Sequence, residues 1–71
     1  MIKKEYKNIA FYLKIIINTD GFYIQVKRHM EFADECYLSS DDSIEFKKNL
    51  EYVCEKYSFN YTHIIKELDL N

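Results

Sequence analysis

The 71-residue sequence predicts an α+β fold: a three-stranded antiparallel sheet followed by two helices packed on one of its faces, in the order β-β-β-α-α. Three observations carry this reading. Residues 11–29 alternate apolar and polar side chains on either side of a turn. Residues 46–57 repeat apolar side chains at helical spacing. Asp42 and Asn60 stand where side-chain oxygens can cap two successive helices.

The hairpin is the strongest element. Side chains of a strand point alternately to its two faces, so Ile9, Phe11, Leu13, Ile15 and Ile17 share one face and Tyr12 and Lys14 the other. Beyond Asn18-Thr19-Asp20-Gly21, Phe22, Ile24 and Val26 continue the apolar face, and Tyr23, Gln25 and Lys27 continue the polar one. Aromatic and β-branched residues dominate both runs, as strands favour. Asp-Gly marks the turn, because Gly accepts positive φ without a Cβ clash and Asp tolerates it better than most residues. Three loop lengths compete. A two-residue loop sets Ile17 opposite Ile24 and Lys14 opposite Lys27, a like-charge pair. A three-residue loop without a bulge puts the apolar sets on opposite faces. A four-residue loop pairs Ile17 with Phe22, Ile15 with Ile24, Leu13 with Val26 and Tyr12 with Lys27, and is preferred.

Helical spacing also runs through the N-terminal segment, at Ile2, Tyr6, Ile9, Leu13 and Ile16. The β-branched run Ile15-Ile16-Ile17 and the need for a partner across the turn favour strand from about residue 8. Residues 1–7 are left as a short helix or a frayed end.

Alternation resumes with Met30, Phe32, Cys36 and Leu38 against Glu31, Glu35 and Tyr37, which suggests a third strand over residues 34–38 after a return loop at 30–33. Ser39-Ser40-Asp41-Asp42-Ser43 then opens a helix, with Asp42 and Glu45 at capping-box spacing. Phe46, Leu50, Val53, Cys54 and Tyr57 make its apolar stripe and Lys48, Glu51 and Glu55 its wet face. Ser58-Phe59-Asn60 breaks it. A second helix carries Tyr61, Ile64, Ile65 and Leu68, with Phe59 and Ile64 at the positions of a hydrophobic staple.

Seventy-one residues imply one small domain, near the size at which a single core is marginal, although twelve aromatic residues add buried area. A lack of proline and a single glycine argue against linkers and low-complexity segments. No signal peptide or membrane span is expected, which points to a cytoplasmic protein with Cys36 and Cys54 as thiols. Net charge is −2, unevenly spread: residues 1–30 hold six cations against two acids (+4), and residues 31–71 hold ten acids against four lysines (−6). Two surfaces of opposite sign are expected.

Candidate chemistry is sparse. His29, His63, Cys36 and Cys54 match no zinc spacing, no Gly-rich phosphate loop exists, and neither a metal nor another cofactor is expected. The acids Glu31, Asp34, Glu35, Asp41, Asp42 and Glu45 read as caps and solubilising groups or as an acidic surface for a basic partner. The outward face of the sheet, with Tyr12, Lys14, Ile16, Tyr23, Gln25, Lys27 and His29, interleaves aromatics with cations. It suits a protein interface, the preferred reading for a chain of acidic total charge, with single-stranded nucleic acid as the alternative. An Ile-rich edge from Ile9 to Ile17, interrupted only by Lys14, further suggests a homodimer, paired along that edge or through Tyr12, Ile16 and Tyr23.

An Ile-rich strand, an Asp-Gly turn and a second strand over residues 15–24, followed by the acidic cap Ser40-Asp41-Asp42 and two helices, resemble the small phage anti-CRISPR proteins that inhibit Cas9. The likeness covers residues 9–70 and is one of architecture. Richness in Lys, Ile, Asn, Tyr and Phe also fits an AT-rich bacterial or phage genome. The resemblance implies a non-enzymatic inhibitor that contacts a nucleic-acid-handling effector, as a DNA mimic with an acidic face or by direct blocking.

Overall fold

The computed structural model describes residues 1–70. Six elements follow one another: β1 (Ile2–Lys7), β2 (Phe11–Asn18), β3 (Gly21–Arg28), β4 (Cys36–Ser40), α1 (Ser43–Tyr57) and α2 (Tyr61–Leu68). The strands form one antiparallel meander in the order β1-β2-β3-β4, and α1 packs across β3, β4 and α2. The sheet therefore has four strands, not the expected three. The added strand is β1, where a short helix or frayed end was expected. It pairs with β2 from Ile2↔Ile17 to Lys7↔Tyr12. Its own alternation, Ile2, Lys4 and Tyr6 against Lys3, Glu5 and Lys7, is weak because this edge strand buries little: only Tyr6 packs against the core.

The β2–β3 register is the preferred one: Leu13↔Val26, Ile15↔Ile24 and Ile17↔Phe22, with Tyr12↔Lys27 on the opposite face. Asn18↔Gly21 adds a further pair, so Thr19-Asp20 alone closes the hairpin. The Asn18 side-chain oxygen accepts from the backbone N–H groups of Asp20 at 2.8 Å and Gly21 at 3.2 Å. This local bond bends the chain without positive φ at Thr19 or Asp20. Gly21 alone in the turn needs it, at φ +152°.

Strand β4 begins at Cys36 rather than Asp34. Val26 carbonyl still accepts from the Glu35 N–H at 2.8 Å, but Asp34 and Glu35 belong to the connection. Their charges stay in water there, whereas Cys36 and Leu38 turn toward the core. Ile9, expected on the apolar face, is 101% exposed in the β1–β2 turn. Asn8 makes that turn. Its side-chain oxygen accepts from Ala10 N–H at 3.1 Å and Phe11 N–H at 2.8 Å. Its amide donates to the carbonyls of Tyr57 at 2.9 Å and Ser58 at 3.3 Å, which ties the turn to the end of α1.

Both helices start as the sequence predicts. Asp42 accepts from Glu45 N–H at 2.8 Å, and Asn60 accepts from His63 N–H at 3.0 Å. Left-handed backbone at Ser58 ends α1. Phe46, Leu50, Val53, Cys54 and Tyr57 from α1 and Ile64, Ile65 and Leu68 from α2 are buried against Leu13, Ile15, Ile24 and Val26. Stacking of Phe22 on Phe46, with centroids 5.1 Å apart, and an edge contact of Phe11 on Tyr57 at 4.8 Å seal the layer. Tyr6 donates to the Glu67 carboxylate at 2.8 Å, fastening β1 to α2.

Gly21 is the position where the turn allows no side chain. A Cβ there would lie 2.7 Å from the Ser40 carbonyl oxygen, and φ is positive as well. Gly21→Ala is expected to lower stability by about 1–3 kcal/mol, read as a drop in the urea midpoint. An unchanged midpoint would mean that the turn tolerates a different backbone.

Candidate functional site

Register decides which side chains share the face of the sheet turned away from the helices. Three rows run across it: Lys7, Tyr12 and Lys27; Glu5, Lys14, Gln25 and Tyr37; and Lys3, Ile16, Tyr23 and Ser39. Tyr12, Lys14, Tyr23 and Lys27, the expected site residues of the sheet, thus lie together on one uncovered surface. Three further residues join them. Tyr37, 57% exposed, extends the face onto β4, and its ring lies 6.5 Å from that of Tyr23 with planes only 17° apart. Lys3 and Lys7 extend it onto β1. The place of these lysines on the face follows only from β1 being a strand, whereas that of Tyr37 follows from the alternation around it.

Lys14, Ile16, Asn18, Tyr23, Gln25 and Tyr37 line an open concavity of about 250 Å³ on this face. Its floor is apolar at Ile16 and aromatic on the β3–β4 side. Lys27 Nζ sits 5.8 Å from the centre of the Tyr12 ring, a spacing that favours a cation over the π face. Gln25 donates to the Asp34 carboxylate at 2.6 Å, so that acid stands at the rim and is engaged.

The charge layout is sharper than the division into halves. The strands carry Lys3, Lys4, Lys7, Lys14, Lys27 and Arg28 against Glu5, a net of +5. The helices are neutral, with Lys47, Lys48, Lys56 and Lys66 balancing Glu45, Glu51, Glu55 and Glu67. The connections Asp20, Glu31, Asp34, Glu35, Asp41, Asp42 and Asp69 supply −7. An acidic protein in total thus has a basic sheet.

The six acids expected to form one surface fall into two groups. Glu31, Asp34 and Glu35 lie in the β3–β4 connection, and Asp41, Asp42 and Glu45 lie at the start of α1. Strand β4 separates them by about 20 Å at the usual rise of an extended chain. Glu35 pairs with Arg28 at 2.8 Å, and Asp42 is occupied as a cap. The edge expected for dimer formation, Ile9 to Ile17, is filled by β1, because β2 pairs along its length with Ile2–Lys7. The new edge carries Lys3, Lys4 and Lys7, the kind of charged border that discourages edge pairing.

A second exposed feature sits at the end of the sheet. Ile9 in the β1–β2 turn and Met30 and Phe32 in the β3–β4 connection are each fully exposed, at 101–102%. The two segments touch: Ala10 carbonyl accepts from His29 N–H at 3.3 Å, and the His29 Nε2 atom lies 2.8 Å from the Asn8 carbonyl oxygen.

Among the described residues no three His, Cys, Asp or Glu side chains gather as a metal site, and no helix is long and apolar enough to cross a membrane. Cys36 and Cys54 are free thiols, and Cys54 is buried. No family model, curated protein or solved structure matches this chain.

Burial pushes the Cys54 thiol from 9.0 up to about 11. Burial, and then the Glu67 carboxylate that accepts its hydrogen bond, push Tyr6 from 10.0 up to about 12. Both groups ionise by losing a proton, and the folded chain holds that proton longer than the unfolded one. The stability they contribute is therefore whole below about pH 9 and is lost as pH rises through 11 to 12. Urea midpoints across pH 8–11.5 are expected to fall above pH 9, and the early part of the fall should vanish in Cys54→Ala. A profile that stays flat to pH 11 contradicts this assignment. With a thiol-reactive dye at pH 8, Cys36 should label without denaturant and Cys54 only with it.

Proposed function

We propose that this protein is a non-enzymatic binding module that holds its partner on the uncovered face of the sheet. What carries the reading is the concentration of Tyr12, Tyr23, Tyr37, Lys3, Lys7, Lys14 and Lys27 on a surface that no helix covers. Tyrosine offers a large amphipathic contact with few rotatable bonds, and lysine gives the surface its sign. The helices, by contrast, carry no net charge, and most of their apolar side chains are spent on the core, with Ile44 and Tyr52 left exposed.

A second reading keeps the phage-inhibitor role, with a CRISPR effector or another nucleic-acid-handling protein as partner and the acids as the contact. The exposure of Glu31 and Asp41 favours it, since neither helps to cap a helix. Its weakness is the distance between the two acidic groups.

Immobilised protein incubated with bacterial lysate separates the two. Wild type is expected to retain a partner, protein or nucleic acid, that Lys14→Glu/Tyr23→Ala loses while its circular dichroism and thermal midpoint stay near wild type. Retention of the same partner by that variant, combined with its loss by Glu31→Gln/Asp41→Asn, would overturn the sheet-face reading in favour of the acidic one.

A further inference from the structure

We infer that the partner on the sheet face is a single-stranded nucleic acid, whose bases stack on Tyr23, Tyr37 and Tyr12 and whose phosphates lie against the lysines around them. The inference rests on the sheet-face reading above and adds the chemical class of the ligand.

Charge is the first ground. On this face Lys3, Lys7, Lys14 and Lys27 meet only Glu5 and the rim residue Asp34. Glu5 lies directly across from Lys14 in the register, so the surplus rests on the outer rows, near Tyr12 and Tyr23. A second copy of the chain laid on this face would oppose lysines to lysines, which leaves an anionic partner as the complementary one.

Geometry separates a nucleic acid from an acidic protein. An acidic protein needs only the lysines. Here each of the three strands β2, β3 and β4 also raises one tyrosine, and the Tyr23 and Tyr37 rings stack beside each other, 6.5 Å and 17° apart, with Tyr37 57% exposed and so open to a further ring. Flat side chains spread over neighbouring strands are what splayed bases stack on, and stacking tolerates any base because each has a π face. The concavity beside these rings has an apolar floor at Ile16. Polar groups stand at its edge, where Asn18 keeps its amide N–H donors and Gln25 keeps its carbonyl oxygen, the Gln25 amide being held by Asp34. Those groups can bond base edges without imposing a fixed sequence. A duplex fits poorly, because its bases are stacked inside and unavailable to the tyrosines.

Fluorescence anisotropy with labelled 12-mer oligo-dT and oligo-rU, and with a 12-base-pair duplex as comparison, tests the inference. Single strands are expected to bind at micromolar protein in 50 mM salt, more tightly than the duplex. The logarithm of affinity should fall with the logarithm of salt at a slope of about −2 to −3, as three or four phosphate contacts require. Tyr37→Ala should weaken binding about 5-fold to 100-fold with the slope unchanged, and Lys7→Gln, in an outer row beside Tyr12, should make the slope shallower by about 0.7. Stacking and phosphate contacts are thereby read separately. Absence of single-strand binding, or affinity indifferent to both substitutions, overturns the inference. If oligonucleotides fail while Lys14→Glu/Tyr23→Ala still abolishes capture of a protein from nuclease-treated lysate, the ligand class is wrong and the sheet-face reading stands. If the double variant also captures what wild type captures, both fall.

Discussion

The register of the β2–β3 hairpin is the constraint on which the rest of this structure depends. With Asn18↔Gly21 closing the turn, Leu13, Ile15, Ile24 and Val26 all face the helices, and Tyr12, Lys14, Tyr23 and Lys27 all face away. A slip of one residue would reverse one strand, sending isoleucines to water and lysines to the core. The side-chain oxygen of Asn18 and the bare backbone of Gly21 against Ser40 therefore fix more than a turn. They decide which surface becomes core and which remains free for a partner.

Core and free face impose different demands on the same eight-residue strands. Toward the helices, Phe46, Leu50 and Ile64 are buried with Leu13, Ile15, Ile24 and Val26 of the two central strands, and in such an interior one lost methylene is felt. On the opposite face no helix covers the strands, and the contacts are those the face makes with itself, such as Tyr23 beside Tyr37 and Lys27 over Tyr12, so burial does not dictate which side chains stand there. The strands carry the protein's positive charge and the connections its negative charge. Acids in connections remain hydrated and can cap a helix, as Asp42 does. Lysines on β1 serve twice, since Lys3 and Lys7 guard an exposed edge and also border the free face.

Much of this was legible in the sequence because local rules agreed with the global fold. Alternation in β2 and β3, the helical stripe of α1, and the oxygens of Asp42 and Asn60 all specify what the structure contains. The losses have physical causes. Strand β1 was hidden because Ile2, Tyr6, Ile9 and Leu13 also satisfy helical spacing, and because an edge strand need not alternate strongly. Ile9 looked like a core residue only on the assumption that the strand ran through it. Asn8, which binds its own turn and the end of α1, breaks the strand there, and such a long-range amide contact leaves no periodic trace. Within the candidate site, the tyrosines and lysines of the hairpin were readable from alternation alone. Lys3 and Lys7 required the strand that was missed, and the distance between the two acidic groups required knowing that β4 is extended between them.

The central claim is that neighbouring residues of the hairpin have separate duties, one face for folding and the other for contact. Alanine substitutions at adjacent positions test it most directly: Ile15→Ala and Ile24→Ala against Lys14→Ala and Lys27→Ala, each followed by urea unfolding. The account predicts losses of about 2–5 kcal/mol for the isoleucines and changes within about 0.5 kcal/mol for the lysines. Lysine variants as unstable as the isoleucine variants would contradict it, because the outer face would then be part of what holds the fold together.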